Sequence, residues 1–342
     1  MKIKREFEIP VKLEVAINEN LGTYDLSLSD SKRIAAAVQW QSDFYIENPN
    51  QQTPWKEQRA QIAQWAYYLP LNFLRNLAVL NELKSVVPLD QFETAFDYGA
   101  GLGASSWALR QMGFKGPITM FDRHTIPPSA AAAVSADFVS QFEPRNYRAH
   151  LGIFSYSLTE IPNRNDLLNQ FSYVVIVEPS TQTEGRRLSE TRKFLIENDF
   201  EILAPCTHQG ACPLIAHSQK DWCHDRILFK KPTWMDKIEK NLPFRNDSLT
   251  FSYLIAFKKG AMKPEWRRPH TPIQGRLTGD ILPEKGKDKQ LVCFDERRLF
   301  LTWMHKNKID QTLPRGGRVE IPDDIEIVAN EARLKKEIQY LP

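Results

Sequence analysis

Asp97-Tyr98-Gly99-Ala100-Gly101-Leu102-Gly103 sets three glycines at every second position, where an apolar run at 94–98 gives way to a helical pattern at 105–112. Glycines at such a junction let the backbone turn sharply and approach a ligand, and the unpaired amides of the helix start face that ligand. The next apolar run, 118–121, ends in Asp122, where a carboxylate can accept both hydroxyls of a ribose. Asp97, Gly99, Gly101, Gly103 and Asp122 are therefore the candidate nucleotide-binding residues. The plain alternative is a tight strand-to-helix turn that binds nothing.

A second constellation is made of sulfur. Cys206, Cys212 and Cys223 follow the spacing Cys-x5-Cys-x10-Cys, and Cys293 lies far downstream. No pair forms a Cys-x2-Cys knuckle, so the zinc-ribbon reading fails. Three readings stay open: a four-iron four-sulfur cluster on all four thiols, zinc on three of them with His208 or His224, or buried cysteines without metal. Cys206 as a nucleophile for pyrimidine methylation is a weaker fourth. Four cysteines in 342 residues are too few for a disulfide scaffold.

The elements that must position these groups follow from periodicity. Residues 1–90 read as a helical region: 27–40 carries Ile34, Ala35, Ala37 and Val38, 55–69 carries Ile62, Trp65 and Leu69, and 71–83 repeats Leu71, Leu74, Leu77, Leu80 and Leu83. Their aromatics and leucines are expected in the core. Residues 91–262 alternate short apolar runs with helices: a strand at 118–121, a helix at 130–142, a strand at 173–177 taken as the fourth, a helix at 189–198, and a late strand at 249–257. That alternation predicts an α/β fold with a parallel, Rossmann-like sheet covered on both faces, carrying a cysteine-rich insertion at 204–226. Residues 263–342 read as a small basic β-rich module, with strands at 290–294, 299–304 and 318–321 and a hairpin tip at 285–289.

Hydrophobic residues at 42% and charged residues at 25% are ordinary globular values, and no apolar run approaches the roughly 20 residues that cross a bilayer. Residues 1–11 mix Lys and Arg with Glu and read as neither signal nor transit peptide, so a cytoplasmic, prokaryotic protein is expected, without membrane contact and monomeric. Net charge is only +3, yet 258–320 holds 15 Lys and Arg against 8 Asp and Glu. Arg267, Arg268, Arg276, Arg297 and Arg298, beside Trp266 and His270 and with Lys306, Lys308, Arg315 and Arg318, suit phosphate neutralisation and stacking on unpaired bases. An ordinary solvated face is the alternative.

Two features separate the nucleotide loop from that of a dinucleotide oxidoreductase: it begins well inside the chain after a helical preface, and its spacing is Gly-x-Gly-x-Gly followed by Ala104 and Ser105. Both favour a class I methyltransferase and S-adenosylmethionine. Glu178 ends the run taken as the fourth strand and is the candidate acid or base and a candidate cofactor contact, with a helix-cap or salt-bridge role equally open. The Asn/Asp-Pro-Pro-aromatic run that holds an exocyclic amine is absent.

Taken together, the glycine loop, Val177-Glu178-Pro179-Ser180 leading to Glu184-Gly185-Arg186, Ala204-Pro205-Cys206-Thr207-His208, Cys212-Pro213-Leu214 and Trp222-Cys223-His224 resemble the methyltransferase-like assembly factors of the mitochondrial small ribosomal subunit and their bacterial relatives. The resemblance covers residues 67–293. It implies a class I methyltransferase fold that binds S-adenosylmethionine, association with small-subunit ribosomal RNA, and a four-iron four-sulfur cluster whose ligands would be Cys206, Cys212, Cys223 and Cys293. Ser180 stands where the family often has glycine, and Asp225 where an aromatic is common. The resemblance is to proteins that look like methyltransferases and whose chief role can be assembly or binding, so it leaves turnover open.

Overall fold

The computed structural model describes residues 3–341 apart from 49–50, 125, 142–146, 162, 262 and 264–271. Nine strands form the larger sheet: β1 (Glu6–Glu8), β2 (Thr94–Tyr98), β3 (Ile118–Phe121), β4 (Asp137–Val139), β5 (Tyr147–Ser155), β6 (Phe171–Glu178), β7 (Phe200–Ala204), β8 (Asp225–Lys230) and β9 (Leu249–Lys258). Across the sheet, β4, β3, β2, β5 and β6 run parallel; β9 is antiparallel to β6 and pairs on its other edge with both β7 and β8. Counted from β2, the strand order 3-2-1-4-5-7-6 with the seventh strand reversed is the class I methyltransferase sheet, with β8 inserted and β1 added as a parallel edge.

Strand β6 is buried along its whole length, as a central strand covered on both faces must be. Its alternate residues feed two cores. Tyr173, Val175 and Val177 pack into one shared with the N-terminal helices Val11–Gly22, Ser31–Glu47 and Leu69–Lys84. Val174 and Ile176 pack into the other, against Leu188 and Leu195 of the helix Gln182–Glu197. The N-terminal helices thus share a hydrophobic core with the sheet. No helix among the described residues is long and apolar enough to cross a membrane.

Two expectations need correction. The helix expected at 130–142 spans only Pro128–Ala133; Ser135 turns the chain with φ of 51°, and Asp137–Val139 then pairs with β3 as an edge strand. The irregular stretch before residue 171 contains β5, whose apolar signal is diluted by Arg148, His150 and Gly152. Gly152 is required by packing, since a Cβ there would lie 2.7 Å from the Phe171 ring. Phe171–Glu178 is consequently the fifth strand in the alternation, one place further from the glycine loop than expected.

Residues 274–341 build a separate seven-stranded sheet: β10 (Gln274–Glu284), β11 (Lys287–Phe294), β12 (Arg297–Met304), β13 (Arg318–Glu320), β14 (Glu326–Val328), β15 (Glu331–Leu334) and β16 (Tyr340–Leu341). The order β14-β15-β12-β11-β10-β13-β16 encloses a core that includes Leu277, Val292, Leu301 and Trp303. β10 and β11 meet at a hairpin over Lys285 and Gly286, a tighter tip than the 285–289 expected, because Lys287, Asp288 and Lys289 already pair within the ladder.

This sheet is bolted to the rest through Arg276. Its side chain is 4% exposed; it pairs with Glu82 on the helix Leu69–Lys84 and donates to the carbonyls of Pro205 at 2.8 Å and Gly316 at 2.7 Å. Burial works against the guanidinium charge, and Glu82 outweighs it, so the group stays ionised. Glu82 also accepts from Tyr253 Oη at 3.0 Å. A nearby bolt joins Arg5 to Asp225 at 2.6 Å and to the carbonyl of Arg315 at 3.0 Å.

Glu178 performs a local version of the same task. It is 2% exposed, and its Oε1 accepts from the amide of Leu158 at 3.1 Å, holding the turn that follows β5. Its Oε2 has no partner among the described residues. Burial, reinforced by Glu184, pushes its carboxyl up to about 8.

Replacing Arg276 by Ala takes the paired guanidinium from the buried Glu82 carboxylate, which keeps Tyr253 Oη and the more distant Arg318, and denaturant unfolding should register a loss of about 3–5 kcal/mol; a loss like that of an exposed arginine would dismiss the bolt. Because the folded carboxyl of Glu178 titrates far above its unfolded value of about 4.3, the folded state holds the extra proton, and stability should fall as pH rises from about 5 to 8. Glu178→Gln should remove a decline on the order of 2–4 kcal/mol across that window, read from urea midpoints at each pH.

Candidate functional site

The chain leads from β2 to one half of the sheet and from the parallel β5 to the other, and the crevice above their carboxyl ends is where an open α/β sheet binds ligands. A cleft of about 750 Å³ lies there. The glycine loop forms its floor. Gly99 and Gly101 take φ of 69° and 50°, a region that side chains with a Cβ rarely adopt. A Cβ on Gly99 would lie 2.4 Å from that of Ser157, and one on Gly101 would lie 3.3 Å from the Trp55 ring. The loop is pinned to the next strand, because the amides of Gly99 and Ala100 both donate to the carbonyl of Phe121, at 2.8 and 2.9 Å.

Asp122 is 7% exposed and lines the cleft. One carboxylate oxygen accepts from the Gly101 amide at 3.0 Å and the other from the His124 amide at 2.9 Å, which fixes the group while leaving further lone pairs for a ligand. Asp97 lies beneath the loop, 1% exposed, accepting from Ser106 Oγ at 2.7 Å; burial raises its carboxyl to about 6. Of the candidate nucleotide residues, Gly99, Gly101 and Asp122 line the cleft, whereas Asp97 and Gly103 support it from below.

Glu178 does not line the cleft. It borders a cavity of about 10 Å³ with Glu184 and Arg164, because β6 is one strand beyond the position assumed from the sequence. The strand end that does reach the cleft is that of β5, with Ser155, Tyr156 and Ser157. Ser155 accepts from Asn76 at 2.8 Å and Ser157 donates to the carbonyl of Tyr98 at 2.6 Å. Tyr156 adopts φ of 59° and is held by its amide bond to the carbonyl of Val177 at 2.7 Å. Trp65 is fully buried, as expected of a helical aromatic, but Trp55, Tyr67 and Tyr68 line the cleft. No sequence signal separates these from core aromatics.

The four cysteines come together at a second place. Cys206 follows β7, Cys212 precedes the helix Pro213–His217, Cys223 precedes β8, and Cys293 sits on β11 directly opposite Arg276 of β10. All four are free thiols lining one cavity of about 60 Å³, together with His208 and His224. Burial raises the thiols of Cys206 and Cys223 and pushes Cys293 up to about 12, and neighbouring thiols add to the shift. Guanidinium groups pull the other way: Arg192 donates to Cys206 Sγ at 3.2 Å, Arg315 acts on Cys223 and Arg298 on Cys293. Among the described residues no three His, Cys, Asp or Glu side chains are arranged to hold a metal ion. Cys206 belongs to this cavity and does not line the nucleotide cleft.

The basic residues divide. Arg276 is consumed by its buried ion pair, which removes it from any phosphate. Arg315 and Arg318 are 13% and 11% exposed beside Asp280 and Glu82, and Arg298 pairs with Asp221 at 2.7 Å. Arg297, Lys306 and Lys308 stand exposed. Arg267 and Arg268 lie outside the described residues.

No curated protein matches this sequence. Among solved structures, the pyocyanin biosynthetic protein PhzM is 13% identical over 63% of this chain and 61% of its own, with a TM-score of 0.33. This chain thus spans less than two thirds of PhzM. The O-methyltransferase NcsB1 from neocarzinostatin biosynthesis, in complex with S-adenosylmethionine, is 14% identical over 53% of this chain and 68% of its own, with a TM-score of 0.33. The plantazolicin methyltransferase BpumL, in complex with SAH, is 12% identical over 71% and 99%, with a TM-score of 0.32. Residues 58–281 match the family described as mitochondrial small ribosomal subunit Rsm22. With more than half its length so matched, and with the glycine loop and three of the four cysteine-cavity thiols inside that span together with Arg276, the chain belongs to the Rsm22 family.

Proposed function

We propose that this protein is an S-adenosylmethionine-dependent, methyltransferase-like factor that acts on small-subunit ribosomal RNA, with a four-iron four-sulfur cluster on Cys206, Cys212, Cys223 and Cys293. The observation that carries the reading is the glycine-floored cleft at the reversal of strand order, in a chain of a small-ribosomal-subunit family. S-adenosylmethionine, when bound, supplies an electrophilic methyl group. Gly99 and Gly101 let the backbone approach the adenosyl moiety, Asp122 accepts from the ribose, and Asp97 stiffens the loop through Ser106. Glu178 acts through the β5 turn as a positioning residue.

The donor set suits an iron–sulfur cluster. Four free thiols, three from 204–226 and one from β11, share one cavity, and its guanidinium rim opposes the burial that holds them protonated. Zinc on three of the thiols with His208 or His224 is the alternative; among the described residues these side chains are not drawn together as either metal would require, so iron and zinc content decide between them. Bound there, the cluster would tie the strand carrying Cys293 to the larger sheet and couple folding to metal. Arg297, Lys306 and Lys308 offer the exposed cations for phosphate contact, and Arg267 and Arg268 join them in this reading. The protein is taken to work as a cytoplasmic monomer.

A non-catalytic role, in which the cofactor only sets shape, is favoured by one observation: Ser155 and Ser157 are already hydrogen-bonded within the protein and Glu178 lies outside the cleft. Transfer of labelled methyl from S-adenosylmethionine to immature small-subunit particles separates the two readings.

Titration calorimetry should show S-adenosylmethionine binding to the wild type and none to Gly101→Val, whose branched side chain meets both positive φ and Trp55. Equal affinities would remove the nucleotide assignment. Protein purified without oxygen should be brown and contain iron and sulfide in similar amounts; stoichiometric zinc without iron would exclude the cluster.

A further inference from the structure

The glycine loop uses only part of the cleft. The same cavity carries a second set of lining residues that the cofactor reading leaves unassigned. Tyr45, Tyr68, Tyr67 and Phe244 follow one another edge to face, with ring centroids 6.1, 5.7 and 6.2 Å apart. Tyr156 enters the cleft from the end of β5, and the Arg75 guanidinium sits over its ring at 5.8 Å.

Two backbone exceptions serve this part of the cleft. Residues Gln64–Tyr68 form a π-helical turn, a device frequent at functional sites, and it delivers Tyr67 and Tyr68 to the lining. Tyr156 holds a left-handed φ that is a true outlier for a bulky aromatic residue. The wall is also rigid. Tyr67 Oη donates to Glu239 at 3.0 Å and accepts from Asn246 at 2.6 Å, and Glu239, wholly buried, is paired with Lys231 at 2.5 Å.

Flat rings beside a guanidinium anchored to Asn72 and to the carbonyl of Thr250 suit a planar heterocycle. A base stacked in a duplex cannot enter such a concavity; an unpaired one can. We propose that this part of the cleft is a subsite for one unpaired nucleobase of single-stranded RNA, with the ring of Tyr156 as its stacking group and the Arg75 guanidinium, which lies over that ring, steadying it. The assignment rests on the reading that the glycine loop holds S-adenosylmethionine. It places the base at the strand end neighbouring the loop, where an acceptor for the methyl group must lie.

The test uses a short single-stranded oligoribonucleotide carrying one 2-aminopurine, with the full chain saturated by S-adenosylhomocysteine. Tyr156→Gly removes the ring at a backbone conformation that glycine adopts freely, and an unchanged circular-dichroism spectrum and cooperative unfolding transition verify the fold of the variant; Tyr156→Phe keeps the ring. Stacking on one base corresponds to a loss of about fivefold or more in RNA affinity for Tyr156→Gly. The quenching of 2-aminopurine seen with the wild type should vanish with it, while Tyr156→Phe stays near the wild type and S-adenosylhomocysteine affinity, measured by calorimetry, is unchanged in all three. Wild-type RNA affinity and quenching in Tyr156→Gly, with cofactor binding intact, would overturn the subsite alone. Failure of the wild type to bind S-adenosylhomocysteine would instead strike the cofactor reading beneath it. Equal affinity for free 2-aminopurine riboside and for the oligonucleotide would overturn the assignment to RNA.

Discussion

A buried charge that must be answered organises this molecule. Arg276 is enclosed between the C-terminal sheet, the residue before Cys206 and the helix that carries Glu82, and each of the three supplies it an acceptor. A guanidinium so deeply removed from water is tolerable only if all these partners arrive together. The pair is thus a condition on assembly more than a source of net stability. Its register has a chemical consequence, because Arg276 and Cys293 are direct partners across β10 and β11. The strand pairing that seats the arginine also delivers the fourth thiol to the cavity of the other three.

The nucleotide cleft follows a parallel logic on a smaller scale. Its floor is held from three sides: Phe121 takes two loop amides, Asp122 takes a third, and Ser157 packs so closely that only glycine fits at position 99. The turn after β5 is held in turn by Glu178, a carboxyl whose burial favours its protonated form. Glycine loop, β5 turn and fifth strand therefore form one supported unit. The cysteine cavity lies elsewhere in the fold and is joined to this unit through β6, β7 and β9. Chemistry at the cleft and integrity of the C-terminal sheet are separable properties, connected through one sheet.

Much of the fold was legible where local pattern suffices. The apolar runs of β2, β3, β6 and β9 and the leucine repeat of 71–83 are strong periodic signals, and the glycine loop declares its strand-to-helix context. β5 was not legible, because Arg148, His150 and Gly152 interrupt its apolar run. Missing it placed Glu178 one strand nearer the glycine loop than the structure does, at a cleft it does not line. The basic residues failed differently. Composition records how many cations a segment has, and Arg276, Arg315 and Arg318 are spent on internal partners that composition does not reveal.

By itself, then, the sequence determined the class of fold, the glycine loop with Asp122, and the identity of four cysteines as a set, since these are matters of residue type and short spacing. Only the tertiary structure decided that β5 presents Tyr156 to the cleft, that Trp55 and Tyr68 line it while Trp65 is core, and that Arg276 is a bolt instead of a phosphate ligand. The reason is physical: a side chain's role depends on which neighbours desolvate it and which answer its charge, and those neighbours are brought by strands and helices far away along the chain.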